Sequence, residues 1–104
     1  MNTIELNVIV YEDGDLWVAQ GIELDVAARA DKLSKLPRAF ERALAANLAV
    51  NHRLGRDALS SIPAAPQRYH DLFERALFHL RERKGRIAPP QGIEIADVRL
   101  AEAS

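Results

Sequence analysis

The sequence contains no cysteine, and other scarcities narrow the class of protein further. Without thiols there can be no disulfide, no thiolate zinc site and no cysteine nucleophile, which fits a reducing compartment. Five glycines and five prolines exclude a collagen-like or low-complexity chain. The most apolar stretch, Ala43 to Val50, is short and contains Asn47, which excludes a membrane span. The N-terminal residues do not show the pattern of a signal peptide, which is a basic segment followed by an apolar one. We therefore expect a cytoplasmic protein.

The sequence contains enough apolar residues to form the core of one folded domain. Its 104 residues are 48% hydrophobic and 28% charged, with a formal net charge of -1. A chain of this length buries roughly two thirds of its unfolded surface, and such a composition is not that of a disordered chain. We therefore expect a single domain over residues 1–104.

Charge is unevenly distributed along the chain. Residues 1–31 carry a net charge of -6, residues 32–90 carry +7, and residues 91–104 carry -2. An acidic surface could dock a basic protein and would repel nucleic acid. Alternatively, the basic helices lie across the acidic strands and the charges neutralise each other. The sequence leaves both interpretations open.

The first thirty residues have the alternating pattern of half-buried strands. Asp13-Gly14 predicts a two-residue hairpin turn, which pairs Val10 with Trp17 and Val8 with Ala19. One face then carries Ile4, Leu6, Val8, Val10, Trp17 and Ala19. The opposite face carries Ile9, Tyr11, Leu16 and Val18, which we call the second-face residues. Because both faces are apolar, the second needs a cover, either a helix or a partner chain in an oligomer.

The remaining residues predict one more strand, two helices and a final strand. After a bulge or corner at Gly21, Leu24, Val26, Ala28 and Ala30 alternate as a third strand. Ser34 is the expected N-cap of a helix to about His52, with the apolar stripe Leu36, Phe40, Leu44 and Leu48 and with Gly55 as its stop. A second amphipathic helix is expected over about 66–83, and a last strand over about 93–100. The fold class is therefore α+β, in the order β-β-β-α-α-β.

Four short motifs in residues 8–51 are similar to a known family. They are the Asp13-Gly14 turn, the strand Trp17-Val18-Ala19, the helix entry Asp31-Lys32-Leu33 and the helix from Ser34 to Asn51. In this order they resemble the N-terminal domain of the HicB-like antitoxin family. The resemblance implies a β-β-β-α-β fold related to a trimmed ribonuclease H core. It also implies a homodimer or homotetramer that binds a small basic HicA-like toxin, an mRNA-cleaving enzyme.

Three features differ from that family. Residues 21–25 read Gly-Ile-Glu-Leu-Asp, where Pro-Asp-Leu-Pro-Gly is common in the family, and a second helix precedes the last strand. The helix and strand expected after Pro66 match neither a helix-turn-helix nor a ribbon-helix-helix, so no DNA-binding module is evident. We expect no direct nucleic-acid binding, because the basic run Arg81, Arg83, Lys84 and Arg86 lacks neighbouring aromatic residues for stacking.

Four acidic residues are the candidate contacts to a basic toxin if the resemblance holds. They are Asp13, Asp15, Glu23 and Asp25, which lie at predicted turns or strand edges. The alternative is ordinary turn chemistry, since an Asp-Gly turn needs no partner.

No catalytic constellation is visible, and we expect neither a cofactor nor a metal. His52, His70 and His79 have no metal-ligand spacing, and the glycines form no phosphate loop. Glu5, Glu41 and Asp97 are the nearest counterparts of a ribonuclease H-type acidic set, which leaves a metal-dependent nuclease as one alternative. A second alternative is an orphan structural dimer without a toxin. The preferred prediction is a non-catalytic, HicB-like antitoxin.

Overall fold

A computed structural model of the protein describes residues 2–57, 61–78, 82–84 and 93–102, with side chains described over 5–57 and 61–75. The elements are β1 (Asn2–Asp13), β2 (Leu16–Gly21), β3 (Ala27–Ala30), α1 (Leu36–Arg53), α2 (Gln67–Phe78), β4 (Glu82–Lys84) and β5 (Ile93–Glu102). They form a five-stranded sheet in the order β3-β2-β1-β5-β4. Strands β1, β2 and β3 are antiparallel neighbours, whereas β5 runs parallel to β1. The α+β class, with its antiparallel meander and two helices, is confirmed.

The β1–β2 hairpin has the expected faces but a different register. Val10 pairs with Ala19 and Val8 with Gly21, so the expected pairs of Val10 with Trp17 and Val8 with Ala19 are wrong. Asp13 pairs with Leu16, which makes Gly14 and Asp15 the turn, and Gly14 takes the positive φ of 63°. The register is displaced by two residues. Because side chains alternate with period two, every residue keeps its predicted face.

One face of the sheet packs against α1 and forms the main core. The stripe of α1 is confirmed, since Leu36, Phe40, Leu44 and Leu48 are all buried. They pack with Leu6, Val8, Val10, Ala19, Leu24, Val26, Ala28 and Ile62. Burying a side chain of this size contributes about 1.5–3 kcal/mol, so this face supplies much of the stability.

The two ends of α1 differ from each other in how well the sequence predicts them. Ser34 is not the N-cap, because a 3-10 turn over Leu33–Lys35 precedes the helix and Lys35 takes the cap position without a side-chain hydrogen bond. At the other end the Gly55 N–H donates to the His52 carbonyl at 3.1 Å, and the Arg56 N–H donates to the Asn51 carbonyl at 2.9 Å. With Gly55 at φ 69°, these bonds form a Schellman motif, which confirms Gly55 as the stop.

The second helix is shorter than the expected 66–83. It ends at Phe78, and Glu82–Lys84 form β4, which pairs antiparallel with β5. In β4 the backbone N–H and C=O groups form hydrogen bonds with β5. In a longer helix the same groups would have bonded within the helix. Helix α2 packs against β1 and β5, on the side of the sheet opposite α1. No helix among the described residues is long and apolar enough to cross a membrane.

Candidate partner-binding site

The turn between β1 and β2 presents a group of exposed carboxylates. Glu12, Asp13 and Asp15, which we call the acidic tip, are all exposed at the end of the hairpin. Arg29 on β3 lies 3.9 Å from Asp13, and both side chains are more than half exposed. Leu16, the first residue of β2, is 37% exposed beside them. The tip therefore combines negative charge with one accessible apolar side chain.

Glu23 and Asp25 lie in the β2–β3 connection, where both carboxylates accept hydrogen bonds. Glu23 accepts from the backbone N–H and from Nδ2 of Asn7, each at 2.6 Å. Asp25 accepts from Nε2 of the buried Gln20 at 2.9 Å. Its own backbone N–H donates to the Pro63 carbonyl at 2.7 Å. These two acids hold the connection, which we call the corner, to neighbouring elements.

The four acidic candidates therefore form two separate pairs. Asp13 and Asp15 flank one end of β2, and Glu23 and Asp25 follow its other end. A six-residue strand spans roughly 17 Å at about 3.3 Å per residue. One small contact surface therefore cannot be centred on all four acids. Asp13 and Asp15 belong to the acidic tip, where the one ion pair within the described residues is the long contact of Asp13 with Arg29.

The second-face residues are covered largely by α2 of the same chain. Ile9 is fully buried and packs with Ile22 and Phe73, and Val18 is buried as well. Tyr11 is half-buried, and its ring stacks on Tyr69 with 6.5 Å between the centroids. Leu16 is the member that stays exposed. The helix is therefore the cover for this face, and no partner chain is needed to bury Ile9.

Arg68 contacts Tyr69, one member of the stacked tyrosine pair. The Arg68 guanidinium lies 4.8 Å from the centre of the Tyr69 ring and donates to the Tyr69 hydroxyl at 3.2 Å. That hydrogen bond lowers the pKa of Tyr69, while burial raises the pKa of Tyr11 and its contact with Tyr69 adds to the rise. The arrangement fixes the start of α2 against β1.

The residues considered for catalysis do not converge. Glu5 pairs with Asp97 across β1 and β5. Leu6 packs on the side of α1, so its neighbour Glu5 lies on the opposite face of the sheet. Glu41 belongs to α1 and is therefore on the other side from Glu5. His70 contacts the Ala65 carbonyl at 3.0 Å, His52 is exposed, and His79 lies outside the described residues. Within the ranges that the structure describes, no three histidine or acidic side chains are grouped as metal ligands.

The structure also contains a feature that the sequence analysis missed. A cavity of about 320 Å³ lies where β3 meets the start of α1, lined by Ala30, Ser34, Lys35, Arg38, Ala39 and Arg42. The spacing of Arg38 and Arg42 could have indicated a basic side of α1, since residues four apart are neighbours on a helix surface.

Comparison with protein-family models, with curated proteins and with solved structures finds no match to this chain.

Proposed function

We propose that this chain is a non-catalytic, HicB-like antitoxin that captures a small basic HicA-like toxin with its acidic tip. The observation that carries the proposal is the exposed tip, where Asp15 has no ion pair within the described part of the chain and Asp13 has only a long one. A protein that cleaves RNA must itself hold phosphates and is therefore basic. Opposite charge on the two surfaces speeds their encounter.

The arrangement of elements supports the family assignment within this proposal. Strands β1 to β3 and α1 follow the β-β-β-α order that the resemblance implies, and the next long strand, β5, runs parallel to β1. Helix α2 and the short β4 are additions between α1 and β5. The motifs that carry the resemblance lie in β1, β2 and α1, in the β1–β2 turn and in the segment that joins β3 to α1.

The tip and the corner have different roles in this proposal. Carboxylates at the tip are free to form ion pairs with a partner, and Leu16 offers an apolar contact beside them. The corner acids already accept hydrogen bonds from Asn7 and Gln20, so they support the fold. Charge at the tip should therefore set the association rate more than the stability of the chain.

The test begins with a search for a short basic protein in the reading frame adjoining that of this chain, and the absence of such a frame contradicts the proposal. A protein found there is the partner to measure. We expect the double variant Asp13→Asn/Asp15→Asn to associate with it several-fold more slowly at low salt, with an unchanged melting temperature. The matched control Asp71→Asn/Glu74→Gln removes the same charge from exposed positions of α2. Stopped-flow or surface-plasmon measurements at two salt concentrations give the rates. Equal slowing by both variants, or no binding by the wild-type chain, contradicts the proposal.

We also propose that the protein forms a homodimer or homotetramer, as the resemblance implies. The apolar second face no longer requires this, because α2 covers it in cis. Light scattering at micromolar concentration distinguishes the outcomes, and a single species of 11.6 kDa contradicts self-association. A dimer that fails to bind the adjoining gene product would favour the orphan structural dimer instead.

A further inference from the structure

The cavity between the edge strand β3 and α1 has a basic wall and an apolar floor. Lys35, Arg38 and Arg42 supply its cationic groups, Ser34 a hydroxyl, and Ala30 and Ala39 methyl groups. Arg38 and Arg42 are one helical turn apart and exposed. Three cationic residues line one concave surface, which favours an anionic ligand there.

The charges in this cavity are only partly compensated within the protein. Lys35 pairs with Asp31 at 3.0 Å, which neutralises one cation. Neither Arg38 nor Arg42 forms an ion pair with any carboxylate in the ranges that the structure describes. Like charges four residues apart on a helix repel each other, and an anionic ligand between them would relieve this repulsion. Two positive charges are left for a ligand.

We propose that this cavity binds the phosphomonoester group of a small metabolite. A phosphomonoester carries a charge of about -1.5 to -2 at neutral pH, which matches the two unpaired guanidinium groups, whereas one carboxylate would leave one of them uncompensated. Guanidinium forks donate two parallel hydrogen bonds to phosphate oxygens. The alanine floor contacts the organic part of the ligand.

The size and location of the cavity agree with a small ligand. Its volume of about 320 Å³ is at the lower end of the usual range for ligand pockets. Ala30, which lines the cavity, pairs with Trp17 across the β2–β3 ladder. Trp17 is the only tryptophan of the chain and is half-buried. Ligand binding should therefore change the fluorescence of Trp17. This site is independent of the acidic tip, so each proposal can fail alone.

The test titrates the protein with glucose 6-phosphate in a buffer without phosphate. Glucose and glucuronate are matched probes, because they keep the sugar ring and carry no charge or one carboxylate. We expect glucose 6-phosphate to bind at millimolar concentration or below, at least tenfold more tightly than glucuronate, with no binding of glucose. Affinity should rise several-fold from pH 5.5 to 7.5, since the second phosphate proton is lost near pH 6. Trp17 fluorescence and amide chemical shifts of Ser34 to Arg42 report the binding.

Variants separate this site from general positive charge. Arg38→Gln/Arg42→Gln should weaken binding of glucose 6-phosphate at least tenfold, and Arg38→Lys/Arg42→Lys should weaken it less. Arg53→Gln is the control, because Arg53 is exposed in the last turn of the same helix and outside the cavity. Because all these side chains are exposed, we expect unchanged melting curves. The chemical shifts of the wild-type protein locate the site without any variant.

Three results would overturn the proposal. One is equal loss of binding in Arg53→Gln, which would indicate diffuse attraction. Another is equal affinity for glucuronate and glucose 6-phosphate. The third is a twelve-nucleotide single-stranded DNA that binds more tightly than the sugar phosphate and needs Arg53 as well as Arg38, which would indicate a nucleic-acid surface.

Discussion

At the scale of single residues, Gly21 is required because backbone atoms of the same connection approach it closely. Its N–H donates to the Val26 carbonyl at 2.8 Å and closes the corner. A Cβ atom there would collide with the Leu24 carbonyl oxygen and would lie 3.3 Å from Cζ of Phe40. Backbone atoms cannot move away as a flexible side chain would, so only glycine fits.

We therefore expect Gly21→Ala to lower the free energy of unfolding by about 2–3 kcal/mol. Gly14 provides the control, since its positive φ of 63° is tolerated by asparagine and nothing lies within 4 Å of a Cβ there. Gly14→Asn should cost under about 1 kcal/mol. Urea unfolding measures both. Equal costs for the two variants would show that the structure relieves the close approach easily and does not require glycine at position 21.

Asp31 shows how one ion pair shifts a titration without stabilising the fold appreciably. The hydrogen bond from Lys35, and then its charge, hold the pKa of Asp31 below its ordinary value. The pair stabilises the folded state fully at pH values above the pKa that Asp31 has in the unfolded chain. This contribution is lost as the pH falls through the lower pKa of the folded state. Both side chains are mostly exposed, so the effect on stability is small.

In Lys35→Gln we expect the pKa of Asp31 to rise to its ordinary range, while the melting temperature at pH 7 stays the same. A carboxyl carbon NMR titration measures the pKa. Lys32→Gln is the control, because Lys32 is an exposed neighbour without an ion pair in the described ranges. A similar rise in both variants would mean that general positive charge, and not this contact, shifts Asp31.

At the scale of elements, the sequence predicts faces better than it predicts register or ends. Alternation assigns Val8, Ile9 and Val10 to their correct faces because the period of a strand is two. The Asp-Gly signal does not say which two residues form the turn, so the register is off by two. Likewise, Ser34 has cap chemistry, but a 3-10 turn replaces the cap. The spacing of Arg38 and Arg42 places both on one side of α1, but the cavity itself could not be predicted, because Ala30 joins them only when β3 packs on α1.

Helix α2 should contribute to stability as a cover of the second face. Phe73 is buried against Ile9 and Ile22, so Phe73→Ala should lower the free energy of unfolding by about 3–5 kcal/mol. Glu74→Ala is the matched control, since Glu74 is the next residue and is exposed. Its effect should stay under about 0.5 kcal/mol. A cost below 1 kcal/mol for Phe73→Ala would show that α2 does not hold this face closed.

At the scale of the whole molecule, opposite charges are separated more than they are paired. The acidic tip is exposed, and Arg38 and Arg42 on α1 are exposed as well. Surface ion pairs join Arg29 to Asp13 and Lys35 to Asp31. Helix α1 packs across the meander, but Arg38 and Arg42 on this helix form no ion pair with the strand acids in this part of the molecule. The separated charges are free to act on other molecules.

This separation predicts that salt will affect binding far more than folding. Surface pairs contribute about 0–1 kcal/mol each, so raising NaCl from about 20 mM to about 300 mM should change the free energy of unfolding by less than about 1 kcal/mol. Urea is the denaturant to use, because guanidinium chloride is itself a salt, and the buffer must contain no phosphate or sulfate, which strengthen apolar burial. Over the same range, association with a basic protein at the tip should slow markedly. A fall in stability of several kcal/mol would instead mean that the acidic and basic segments neutralise each other, and the tip would then be part of the fold rather than a binding surface.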